Sequence, residues 1–118
     1  METRDIKFRG RRKDNGQFAY GYLFEIWDQA YILWGMTNGV PDMTEVFPDT
    51  VTQSTNFTDK NGKEIYGGHV LLLHNTTITN VVIYDIEKGG WMLKFGRSVT
   101  YRLTKERALE HEIVGNIY

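Results

Sequence analysis

Residues Thr58–Leu73 read TDKNGKEIYGGHVLLL, and they decide the fold class. A polar turn at Asn61-Gly62 is flanked by Lys60 and Lys63. Both central positions of a type I′ hairpin need positive φ, so Asn-Gly is a hairpin signal. Ile65-Tyr66 forms a short extended segment. Gly67-Gly68 allows a kink or bulge before Val70–Leu73, which is apolar on both faces as a central buried strand requires. A phosphate loop would need Gly-Lys-Ser/Thr and a following helix, and the glycine pair has neither. Asn61, Gly62, Gly67 and Gly68 are therefore read as a structural turn and bulge.

Upstream, Ile6–Arg9 alternates apolar and basic residues as a first short strand, and Asp14-Asn15-Gly16 is turn chemistry. From Phe18 to Trp27, Phe18, Tyr20, Tyr22, Phe24 and Ile26 share one face at period two. Ala19, Gly21, Leu23 and Glu25 share the other. The aromatic face is expected to be core; were it exposed, it would be an oligomer interface. Tyr31–Trp34 pairs back as an aromatic hairpin. Gly35–Pro48, with Asn38-Gly39 and Pro41, reads as an irregular loop or arm. Downstream, Val51–Phe57, Val81–Ile86, Trp91–Phe95 and Val99–Thr104 read as strands, Thr104–Glu110 as a short helix capped by Thr104, and Glu112–Tyr118 as extended.

The fold class is mainly β: a small barrel or rolled antiparallel sheet with an N-terminal aromatic hairpin and at most one short helix, near 104–110. The 118 residues fit one domain, with a hairpin and arm region at 1–49 and a barrel body at 50–118.

Composition excludes several chemistries. The absence of cysteine removes disulfides, thiolate metal sites and Cys nucleophiles. His69 and His74, five apart, would face opposite sides of a strand, and His111 sits in Glu110-His111-Glu112 without metal-ligand spacing. No metal and no cofactor is expected. Asp85 and Glu87 share a strand face near a turn, and Ser54 and Ser98 have no nucleophile-elbow context, so no catalytic residue is assigned and the chain is not expected to be an enzyme. The charged opening lacks a signal-peptide core and no apolar run reaches membrane length, which points to the cytoplasm of a bacterial host.

Net charge is −1 but uneven: the first 13 residues hold six basic against two acidic side chains. Arg9, Arg11, Arg12 and Lys13, with Tyr20 available for stacking, are the candidate nucleic-acid contacts. An isoelectric point near 6.3 is low for such a role.

The segment Asp59–Val70, DKNGKEIYGGHV, resembles the DKNGKEIYEGDIV hallmark of the YopX-like proteins, small proteins encoded by bacteriophages and prophages of Gram-positive and gut bacteria. Ile6-Lys7-Phe8-Arg9 is similar to their opening IKFR, and Glu112–Tyr118, EIVGNIY, to their closing EVIGNIYEN. The three segments lie in the family's order across nearly the whole chain. The chain departs where the family has Glu-Gly-Asp and here Gly67-Gly68-His69 stands, and where Ala-Trp-Asp is replaced by Gly10-Arg11-Arg12. The resemblance implies a mostly β, barrel-like fold, a phage or prophage origin and assembly as a homo-oligomer. It implies no catalytic residue. The expected function is that of an accessory protein acting by binding or assembly, with a host or phage protein or nucleic acid as further partners. The alternative is a nucleic-acid-binding small barrel using the basic N-terminus.

Overall fold

The computed structural model describes residues 7–97 and 99–118. Ile6 of the expected first strand and Ser98 lie outside them. The chain divides into two compact units, the first ending at Ser54 and the second starting at Thr55. Both are built from antiparallel strands, with one short helix in the second. The fold is mainly β, and neither sheet closes into a barrel.

In the first unit the strands are β1 (Phe8–Arg11), β2 (Phe18–Ile26), β3 (Gln29–Thr37) and β4 (Val40–Val46). A 3-10 turn at Pro48–Thr50 leads into β5 (Thr52–Thr58), which runs on into the second unit. The order of neighbours is β4-β3-β2-β1-β5. β2 is shared: Phe18–Gly21 pairs with β1, and Tyr22–Ile26 with β3. The sheet rolls until the end of β1 meets the end of β4. Phe47 N–H donates to Arg11 O (2.8 Å) and Lys13 N–H to Glu45 O (3.1 Å), on either side of an Arg12–Val46 bridge.

So tight a roll has little room inside. Its interior takes the small and aliphatic side chains Ala19, Ala30, Ile32 and Val46, with Phe8, Leu23 and Val51 against them. A Cβ on Gly10 would stand 2.9 Å from Val46 Cγ2, and one on Gly21 only 2.0 Å from Leu33 O. The expectation that Phe18–Ile26 buries its aromatic face is therefore overturned. Tyr20, Tyr22, Phe24 and Ile26 are exposed, while Ala19 and Leu23 of the opposite face pack into the interior and Glu25 near the strand end stays exposed.

The loop expected over 35–48 is also corrected. β3 continues to Thr37, Asn38-Gly39 turns with φ of 52° and 80°, and β4 follows. Positive φ at both central positions is the hairpin signature. Pro41, opposite Met36, is tolerated because β4 ends the sheet order and the missing N–H breaks no ladder.

In the second unit β6 (Glu64–Tyr66) lies beside β5, and the other strands form a sheet of order β10-β9-β8-β7-β11. These are β7 (His69–Leu73), β8 (Thr79–Asp85), β9 (Gly90–Phe95), β10 (Val99–Arg102) and β11 (His111–Asn116). β7 has a neighbour on each side, as its apolar sequence requires. Helix α1 (Lys105–Leu109) begins where expected: Thr104 Oγ1 accepts the Arg107 N–H at 3.2 Å. The core gathers Ile65, Leu71, Val82, Leu93, Leu103 and Ala108.

Gly21→Ala should cost at least about 2 kcal/mol, because the obstacle is a backbone carbonyl of the neighbouring strand. Urea denaturation followed by tryptophan fluorescence measures it. A midpoint equal to the parent's would contradict the packing described.

Candidate interaction surface and the motif junction

The outward face of the first unit is organised by register, since residues directly opposite across antiparallel strands share a face. Tyr22 on β2 stands opposite Leu33 on β3, and Leu33 opposite Met43 on β4. The next rung is Phe24, Tyr31 and Glu45. Phe24 and Tyr31 rings lie 6.2 Å apart, as do Phe18 and Tyr20. Tyr22 is 67% exposed. At the hairpin tip Trp27 has φ 54° and is 89% exposed. A bulky residue at positive φ is strained, and such outliers concentrate where a surface is used. Aromatic and Met side chains are thus gathered on one face rather than scattered singly, the composition that interface cores favour.

The basic residues border this face but are engaged within the unit. The Arg9 side chain is 1% exposed, donates from Nε to Thr52 Oγ1 and stacks its guanidinium over Phe18 at 4.0 Å. Arg11 stacks over Phe18 at the same distance and donates to Gly16 O. Arg12 makes a two-pronged contact with Asp14 at 2.9 and 2.7 Å. Lys13 pairs with Glu45 at 2.8 Å. Asp14 is held below the ordinary carboxylate range, chiefly by that hydrogen bond from Arg12. Tyr20 is half exposed beside them. The structure thus brings Arg9, Arg11 and Tyr20 together around Phe18, and sets Arg12 and Lys13 in ion pairs.

The hallmark turn differs from the type I′ expectation. Gly62 has φ 79°, while Asn61 is absent from the positive-φ residues. Gly62 N–H donates to Asp59 O (3.0 Å) and Asp59 N–H to Lys63 O (2.8 Å), a type I turn followed by a left-handed glycine. The cause is the Asp59 side chain, which sequence reasoning passed over. Its Oδ1 accepts the N–H groups of Asn61 and Lys63, each at 2.9 Å, favouring a type I turn. Its Oδ2 accepts the N–H of Ile113 on β11 at 3.0 Å. Burial pushes this carboxyl up, but the bonds from Ile113, Lys63 and Asn61 outweigh it, leaving the pKa below the ordinary value. The available signal was Asp two residues before Asn-Gly, the spacing of an Asx turn.

Gly67-Gly68 turns β6 into β7, with Gly68 at φ 84°. His69 is buried, and its Nδ1 accepts the Tyr66 N–H at 2.8 Å, as an Asp carboxylate at this position could. Gly68 O accepts the Ile117 N–H, and a Cβ on Gly68 would lie 2.5 Å from the Tyr118 ring. Lys60 N–H donates to His111 O. Two of the three sequence motifs, around Asp59–Val70 and Glu112–Tyr118, are therefore one junction in space.

A family model for the YopX protein matches residues 7–118. The chain belongs to the YopX family. No curated protein matches it. The YopX match spans both units, so the rolled first unit and the motif junction of the second both lie within the family region. Among the described residues no cluster of metal-ligating side chains occurs, and no helix is long and apolar enough to cross a membrane.

Because the folded-state pKa of Asp59 is depressed, its stabilisation is complete above the unfolded value, near 3.9. It is lost as pH falls through that value towards the lower folded one. Asp59→Asn should be less stable at neutral pH and show a shallower acid loss, read by thermal unfolding between about pH 6 and 3. Identical slopes for parent and variant would count against the assignment. His69→Ala should cost about 1–3 kcal/mol by removing the acceptor of the Tyr66 N–H, and His69→Asp should cost less because a carboxylate can take it. Chemical denaturation of the two variants gives the ranking.

Proposed function

We propose that this YopX-family chain is a phage or prophage accessory protein of the bacterial cytoplasm that acts by assembly, as a homo-oligomer, rather than by catalysis. The observation that carries this reading is the outward ladder of exposed Tyr22 and Met43 on either side of half-buried Leu33, beside exposed Phe24 and half-buried Tyr31, tipped by Trp27. A second copy suits it better than a strongly charged partner. The rim charges are neutralised in Arg12–Asp14 and Lys13–Glu45 pairs, so two such faces meet without like-charge repulsion.

Support for a non-catalytic role comes from the candidate acid and base groups. Asp85 Oδ1 accepts the N–H groups of Glu87 and Lys88 as a turn cap, while His69 is committed to Tyr66 in a different hairpin. Nucleic-acid binding along Arg9–Lys13 ranks second, since a phosphate would have to compete with Phe18, Asp14 and Glu45 for these side chains.

Light scattering on a size-exclusion column at micromolar concentration should give a mass that is a multiple of the chain's 13.7 kDa. Tyr22→Asp with Phe24→Asp should return it to the monomer with its fold retained by circular dichroism. A parent that is strictly monomeric rules out assembly. Binding of single-stranded DNA or RNA that weakens with salt, less steeply in Arg11→Ala/Arg12→Ala, would instead favour the second reading.

A further inference from the structure

In the second unit a cavity of about 260 Å³ opens beside β8, β9, α1 and the start of β11. It is somewhat smaller than the roughly 300–1,000 Å³ of sites for drug-sized ligands. Most of its wall is aliphatic or aromatic, including Phe95 and Tyr101. Two deeply buried polar residues line it: Asn80, 6% exposed, and His111, 3% exposed.

Their hydrogen bonds fix their orientation. His111 Nδ1 lies against the carbonyl oxygen of Arg107, and a carbonyl can only accept, so Nδ1 carries the proton. In the neutral ring Nε2 is then an acceptor, and Asn80 Nδ2 donates to it at 3.3 Å. That leaves Asn80 Oδ1 as a buried acceptor with no partner among the described residues. Such a group costs stability until a donor reaches it. Arg107 and Glu110, both exposed, also line the cavity. Arg107 donates one N–H to Arg102 O at 2.7 Å and lies over Tyr101 at 5.7 Å, leaving further guanidinium N–H groups for a ligand.

We infer that this cavity binds a planar nitrogen heterocycle carrying an amino group, of nucleobase size. The ring fills the apolar volume and meets the aromatic wall. Asn80 Oδ1 is wholly buried as the site stands; a small rotation of its amide lets the ligand's amino N–H donate to it, with Glu110 as a second acceptor, and a ring nitrogen accepts from Arg107. A purely apolar ring would leave Asn80 Oδ1 as it stands, and an anion would face both that oxygen and Glu110. The site is separate from the aromatic face of the first unit, and its test does not depend on the oligomeric state.

The experiment titrates the ¹⁵N-labelled chain with adenine and with cytosine, using purine as the control that lacks the amine. Saturable shifts at the amides of Asn80, Phe95 and His111 are expected with at least one amino base, and purine should bind about tenfold more weakly. Asn80→Leu should lose about tenfold for the amino base and nothing for purine. Arg107→Gln, at an exposed position, should also weaken the amino base and serves if the Asn80 variant does not fold. A short single-stranded oligoadenylate separates a free base from one carried on a strand; whichever of the two binds more tightly names the source, and either supports the base chemistry. No saturable shift up to about 10 mM, or equal binding of purine and adenine, overturns the inference, as does an unchanged affinity in a folded Asn80→Leu.

Discussion

One carboxylate holds the second unit together. Asp59 is almost wholly buried, and burying a charge is costly unless it is fully hydrogen-bonded. Here three backbone N–H groups point at it, two from its own turn and one from β11, 54 positions away. Hydrogen bonds to a charged group contribute about 1.5–3 kcal/mol each, enough to offset the desolvation. The two oxygens divide the work. Oδ1 shapes the local turn and Oδ2 fastens that turn to β11. The same contact protects a sheet border: β11 is the last strand in its sheet, and Lys60 N–H and Asp59 Oδ2 occupy groups along its outer edge.

The first unit is governed by space. A strand shared between two neighbours at a bend makes a tight roll, and only small or aliphatic residues fit its concave side. Gly10 and Gly21 mark where a side chain would meet Val46 or the Leu33 carbonyl. The large aromatics of β2 are left on the convex side, where only Phe18 is covered, by the guanidinium groups of Arg9 and Arg11. An aromatic-rich strand turned outward in this way is unusual for a water-facing surface.

What the sequence made legible follows from the range of the interactions. Alternation in Phe18–Ile26 and the Thr104 cap are local, and each could be read directly; the Asn38-Gly39 turn is just as local, but beside Pro41 it reads as a breaker within a loop. Which face of β2 turns inward depends on curvature, and curvature depends on β1 meeting β4, so period two alone chose the wrong side. Pro41 concealed β4, because a proline argues against a strand unless that strand is known to lie at an edge. Asp59 could have been recognised as the turn's own cap, but its bond to Ile113 belongs to tertiary structure. The cavity beside His111 was invisible for the same reason: Asn80 and Arg107 reach His111 from β8 and α1, and neither residue forms a motif with it.

The junction of β7 with β11 also sets an order in time. β7 is bounded on one side by β8, which follows within a few residues, and on the other by β11, which does not exist until some forty positions later. During synthesis the early hairpins can form as they emerge. Asp59, however, keeps a charge without its third donor, and Leu71 keeps an uncovered flank, until Ile113 has left the ribosome. The closing motif therefore acts as a latch. Completion of the second unit waits on β11, and a nascent chain halted before it would present an open strand to its surroundings.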